Sequence, residues 1–209
     1  MRREREEQHV AISSRRPTRL RLAWLVTEVL APAPIAAALL VVISIHSSST
    51  PAAALGWALL AVLFASAIPF IHVLWAVRRR RLTDRHVGLR EQRLLPLLVG
   101  IASVLVGLAL LSSLGAPQEL VALVGAMMVG LIVSLLVTFL WKISMHTAVA
   151  GGAVTIVALV FGAEWLVLFL IVGLIGWARV KLEDHTPSQV AGGTALGTSV
   201  AAIVFTLLH

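Results

Sequence analysis

Residues 94–141 read LLPLLVGIASVLVGLALLSSLGAPQELVALVGAMMVGLIVSLLVTFLW, and Glu119 is the sole charged side chain among them. Two continuous apolar runs flank the turn Gly115-Ala116-Pro117. Crossing the hydrocarbon core of a bilayer takes roughly 20 apolar residues in a helix. A helix satisfies its own backbone hydrogen bonds, which lipid cannot do. A barrel strand would instead alternate apolar and polar residues over about ten positions. The stretch therefore predicts a hairpin of two transmembrane helices, over 94–114 and 119–141.

The same pattern extends outward in both directions. Apolar stretches cover 23–45, 51–77, 147–161, 164–177 and 190–208, giving seven expected spans. Glu28, Pro32 and Pro34 interrupt the first and predict a bend or an interfacial start. The two short stretches hinge on Gly162-Ala163. Over all 209 residues, 59% are hydrophobic and 13% charged, and mean hydropathy is +0.96. Soluble domains lie near half apolar and about a quarter charged, so water is not the solvent for most of this chain. The expected fold is all-α, a polytopic transmembrane helical bundle of about six to seven spans. Its organisation is a basic N-terminal segment, 1–21, followed by one transmembrane domain, 22–209, with a polar loop at 78–93. The apolar stretch behind the basic segment lacks a convincing cleavage site, so a retained first helix is expected. There is no cysteine, which removes disulfides, thiolate nucleophiles and cysteine-ligated metals from consideration.

Charge sets the expected orientation. Of the 17 Lys and Arg, seven lie within 1–21 and seven within 78–93, and the rest are Lys142, Arg179 and Lys181. The connections 46–50, 115–118 and 162–163 carry none. Two spans separate each basic segment from the next, so all share one side, which the positive-inside rule makes cytoplasmic. Trp24, Trp75, Trp141 and Trp177 sit at the same boundary, where indole rings prefer to lie. A multi-pass cell-membrane protein results, with a cytoplasmic N-terminus and His209 outside.

Three separated segments converge on that side. The first, 78–93, reads RRRRLTDRHVGLREQR. Arg78–Arg81 suit topology anchoring and anionic headgroups, whereas Arg85, Arg90 and Arg93 have the fork geometry that grips phosphate oxygens. The second is Lys142-Ile143-Ser144-Met145-His146. The third runs 178–189 and contains Arg179, Asp184, His185 and Gln189. Two histidines among several cations suit phosphoryl transfer. One can attack phosphorus, the other can protonate the leaving oxygen, and guanidinium groups can stabilise developing charge.

The last two segments resemble the type 2 phosphatidic acid phosphatase family. Ser144-Met145-His146, followed by a helix of small residues, resembles its Pro-Ser-Gly-His motif. Ala178-Arg179, then His185 and Gln189, resembles its Ser-Arg-x5-His-x3-Asp motif. The resemblance covers 142–208 and implies that family's helical fold. It implies His185 as the nucleophile that becomes phosphohistidine, His146 as the general acid and Arg179 as a phosphate ligand. Lys142, Ser144, Arg85, Arg90 and Arg93 would complete the substrate site, with Gln189 and Asp184 orienting the nucleophile. The family needs no metal or cofactor, so none is expected. Ile143 and Met145 replace the family's Pro and Gly, Ala178 replaces Ser, and Gln189 replaces the orienting Asp.

The function expected from these residues is hydrolysis of a lipid phosphate or diphosphate monoester, either phosphatidate-like or a prenyl diphosphate. The alternative is a non-catalytic protein of the same descent that binds or moves phospholipids. Membrane lipids are the expected partners, and no motif reads nucleic-acid bases. Nothing in the sequence speaks to oligomeric state. His72 and His86 read as interfacial, and Gly193-x3-Gly197 reads as a close helix contact.

Overall fold

The computed structural model describes residues 18–209, so all but the last four positions of the basic segment 1–21 lie outside the described residues. Every element among the described residues is helical. We label the helices α1 (Thr18–Val29), α2 (Pro32–Ser47), α3 (Pro51–Val62), α4 (Ile68–Arg78), α5 (Leu94–Ser113), α6 (Gln118–Leu140), α7 (Met145–Phe161), α8 (Phe169–Lys181) and α9 (Pro187–Leu208). Among the described residues, five stretches are long and apolar enough to cross a membrane: Pro51–Arg78, Arg90–Ser113, Gln118–Leu140, Ala163–Lys181 and Pro187–Leu208. α1 and α2, bent by 44°, together make a sixth. α7 has 17 residues and is shorter than these. The seven expected spans thus become five or six candidate crossings plus one short apolar helix.

Proline chemistry explains both breaks in the first two stretches. Pro32 opens α2 with Ala31 extended before it (φ −71°, ψ 158°), the conformation that a following proline imposes. In the second stretch, Leu63–Ala67 form a π-turn between α3 and α4. Ile68 N–H bonds Leu63 O, and Pro69 has no N–H to offer. The Phe64 carbonyl, left without its helical donor, accepts the Ser103 hydroxyl of α5 at 2.5 Å. Ser66 in the same turn donates to Ala33 O at 2.9 Å. Neighbouring helices thus repair the backbone inside an apolar layer, as lipid cannot.

The basic segments within the described residues meet at one end of the bundle. Arg85 pairs with Glu28, Arg90 and Arg93 donate to carbonyls at 139–143, and Lys142 donates to Asp184 O. The opposite end gathers His46, Glu119, Phe161 and His209. α7 and α9 approach most closely. A Cβ at Gly193 would overlap the Ser144 carbonyl, and one at Gly197 the Ala148 carbonyl. Lipid offers no hydrophobic drive between helices, so such small-residue contacts hold them together by packing. The outward surface is leucine-rich, with Leu140, Leu170 and Leu207 each more than three-quarters exposed.

Candidate active site

Local folding fixes the two motif segments. α8 ends in a turn where Glu183 adopts φ 60°. The amides of Asp184 and His185 then both reach the Arg179 carbonyl, at 3.1 and 3.3 Å. The five-residue spacing between Arg179 and His185 is the length of that turn. Pro187 opens α9, and Thr186 and Gln189 form a capping box, which leaves the Gln189 side chain curled towards His185. Its Oε1 lies 3.1 Å from His185 Nδ1 and 3.2 Å from Thr186 N. The amide oxygen only accepts, so Nδ1 carries the proton and the lone pair sits on Nε2.

His146 is the second residue of α7, immediately after the 141–144 junction. Ser144 is fully buried, and its side chain caps the helix by accepting from Thr147 N. The Ser144 amide donates to Gln189 O at 3.1 Å, joining the two motif segments through the backbone. The Thr27 backbone of α1 lies beside the His146 ring, while His146 Nε2 is buried without a hydrogen-bond partner among the described residues.

The cations differ in what they do. Arg179 is 1% exposed, the largest fully buried side chain among those described. Its Nη1 lies 3.1 Å from Asp184 Oδ2, but Nε and Nη1 make no aligned hydrogen bond among the described residues. Arg93, also buried, donates from Nε to Val87 O at 3.1 Å and from Nη1 to Ile143 O at 2.8 Å. It thereby ties loop 79–93 to the junction. Lys142 Nζ donates to Asp184 O at 2.8 Å. Burial, and next Arg93, hold the Lys142 ammonium below its ordinary pKa. Burial, followed by the charge of Arg179, pushes His185 down to about 3, against the raising effect of its Gln189 bond. His185 is therefore a neutral imidazole across the physiological range.

Several residues sit elsewhere than the sequence reading expected. Arg90 donates to Phe139 O and Leu140 O at the end of α6 and stays outside the cluster. Arg85 is half-exposed and pairs with Glu28 at 2.6 Å. Asp184, expected to orient His185, instead pairs with Arg179. His86, expected at the interface, is largely buried, with its ring centroid 5.1 Å from that of His146 and its Nε2 2.9 Å from Glu28 Oε1. Only one sequence signal pointed to this pair: a carboxylate inside the first apolar stretch.

A cavity of about 600 Å³ opens beside this cluster. Glu28, Arg85, His86, Arg93 and His146 line its polar end, and apolar residues of α2, α5, α6, α7 and α9, such as Leu39, Leu97, Leu123, Ile156 and Val200, line the rest. His185, Arg179 and Lys142 are not in its wall. This arrangement can hold an anion among buried cations, present a neutral nucleophile to it, and accommodate an apolar chain on the His146 side. Comparison with family models, with curated proteins and with solved structures returns no match to this chain.

Proposed function

We propose that this chain is an integral-membrane lipid phosphatase, akin to the type 2 phosphatidic acid phosphatases, hydrolysing a phosphate or diphosphate monoester with a long apolar tail. One observation carries the reading. Arg179 Nε and His146 Nε2 are buried without hydrogen-bond partners among the described residues, beside a histidine held neutral by its surroundings. Buried polar groups left unpaired cost free energy; a phosphate oxygen would satisfy Arg179 Nε, and a hydroxyl of the substrate or of water would satisfy His146 Nε2.

In this mechanism His185 Nε2 attacks phosphorus as the bond from phosphorus to the lipid oxygen breaks. That oxygen takes a proton from His146 and leaves as the lipid alcohol, or as a lipid monophosphate when the substrate is a diphosphate. Water then gives a proton back to His146 and attacks the phosphohistidine. The phosphorus–nitrogen bond breaks, releasing inorganic phosphate and neutral His185. Nucleophile and leaving group flank phosphorus on opposite sides. A tail cavity bordered by His146 but not by His185 suits this polarity, because the tail belongs to the leaving group.

Gln189 favours a second reading, a non-catalytic lipid-binding or lipid-transporting protein, because its neutral amide adds no charge to stabilise imidazolium. Gln189→Asp separates the two. A carboxylate beside Nδ1–H favours the protonated ring and raises the His185 pKa from about 3. Only the neutral ring attacks, so the acid limb of kcat/KM should move to higher pH. Activity near neutrality should persist or increase. Native protein and variant that both bind lipid phosphates but release no phosphate would leave the binding reading standing.

We further propose a cell-membrane location with the basic end, and hence this site, in the cytoplasm, from the one-sided distribution of Lys and Arg. Topology reporters at Arg85 and Lys181 should give cytoplasmic signals, and one at Ser48 an external signal. An external signal at Arg85 would reverse the assignment.

A further inference from the structure

We propose that Glu28 and His86 are positioning residues for His146, an inference that rests on the reading of His146 as the group that protonates the leaving oxygen. Glu28 lies in the bent α1–α2 pair, with its side chain 17% exposed. A carboxylate so little exposed in an apolar helix is costly unless it is paired. Its two oxygens are divided: Oε2 takes Arg85 at 2.6 Å and Oε1 takes His86 Nε2 at 2.9 Å. Arg85 alone would fasten loop 79–93 to α1. The second bond ties the same loop again and, being to the ring nitrogen, also orients the His86 ring.

That ring is held from both sides. The His86 amide donates to Asp84 Oδ1 at 2.8 Å, so the backbone is anchored while Glu28 anchors the far nitrogen. The next residue, Val87, adopts φ 48°, a conformation that costs a β-branched side chain energy. Its carbonyl accepts from Arg93 Nε at 3.1 Å, a buried bond that helps hold it there. The fixed His86 ring lies against His146, centroids 5.1 Å apart and planes tilted by 56°. The Thr27 backbone also lies beside the His146 ring. Thr27 and Glu28 are consecutive in α1, so one turn of one helix borders the His146 ring at Thr27 and bears on it through His86 at Glu28. The unpartnered Nε2 of His146 is what this bracing leaves to face a leaving oxygen.

A device that aims a proton donor matters only when the leaving group needs a proton. We therefore expect Glu28→Gln and His86→Phe to slow hydrolysis of dodecyl phosphate, a poor leaving group, by roughly tenfold to a hundredfold in kcat with KM little changed. Hydrolysis of 4-nitrophenyl phosphate, whose phenolate leaves unaided, should stay close to native. Glu28→Asp should recover part of the loss. Nitrogen-15 NMR of histidine-labelled protein gives a readout independent of turnover: the His146 ring signals should shift in Glu28→Gln. Equal losses on both phosphates, or an unmoved His146 signal, would overturn the proposal. If the native protein hydrolyses neither phosphate while the His146 signal still shifts, the bracing stands and the phosphatase reading falls.

Discussion

His185→Ala should abolish phosphate release from lipid phosphates, with a loss on the order of ten-thousandfold or more, while the protein still folds and binds the lipid. The side chain removed is a neutral ring whose hydrogen bond is to Gln189. That amide keeps its second bond, to Thr186 N, and with it the capping box of α9. The groups proposed to hold the anion, Arg179 foremost, are untouched. Binding and catalysis should therefore separate in this variant, which is checked by phosphate release alongside lipid co-purification. His146→Ala should slow turnover without destroying the nucleophile, and its loss should shrink for substrates with better leaving groups. Unaltered turnover in His185→Ala would remove the covalent mechanism altogether.

The second large effect concerns assembly. Gly197→Val should destabilise the protein by more than about 3 kcal/mol, because overpacking is costly even against movable side chains. Here the obstacle is the Ala148 backbone carbonyl. α7 and α9 would have to separate along the face that also carries Ser144 and Gly193. His146 lies in the first turn of α7 and Gln189 in the first turn of α9, so their relative placement would be lost with the packing. The variant should yield little monodisperse protein in detergent and no activity. Gly173→Ala is the control, since a Cβ there meets nothing within 4 Å, and it should melt at or slightly above the native temperature. Normal stability in Gly197→Val would mean that the two helices are not held by this contact.

Much of this architecture is legible in the sequence because the bilayer allows few solutions. Long apolar runs such as 94–114 and 119–141 have one stable backbone form in lipid, and the structure has helices there. The gathering of the described basic segments at one end follows from counting two helical stretches between them. The contact between Gln189 and His185 is also readable. A threonine, a proline and a glutamine at 186, 187 and 189 spell a helix start, and the cap fixes where Gln189 turns.

Other features depend on partners distant in sequence. Glu28 and His86 are 58 residues apart and meet only because loop 79–93 folds back against α4, burying Leu82 and Val87 against Ala76. Asp184 is adjacent to His185 in sequence, yet it turns to Arg179, because a neighbour along the chain need not be a neighbour across a turn. Arg85, Arg90 and Arg93 are alike as sequence. What distinguishes them is which acceptors loop 79–93 brings within reach: a carboxylate, the end of α6, or the buried carbonyls beside the site.

The most direct test of the proposed reaction is rapid quenching of the purified native protein during turnover of a radiolabelled lipid phosphate, in the presence of a chelator. The covalent mechanism predicts labelled protein that survives base and loses its phosphate in acid, the signature of phosphohistidine, with the label absent from His185→Ala. Steady phosphate release with no labelled protein at any quench time, or label retained in His185→Ala, would contradict it.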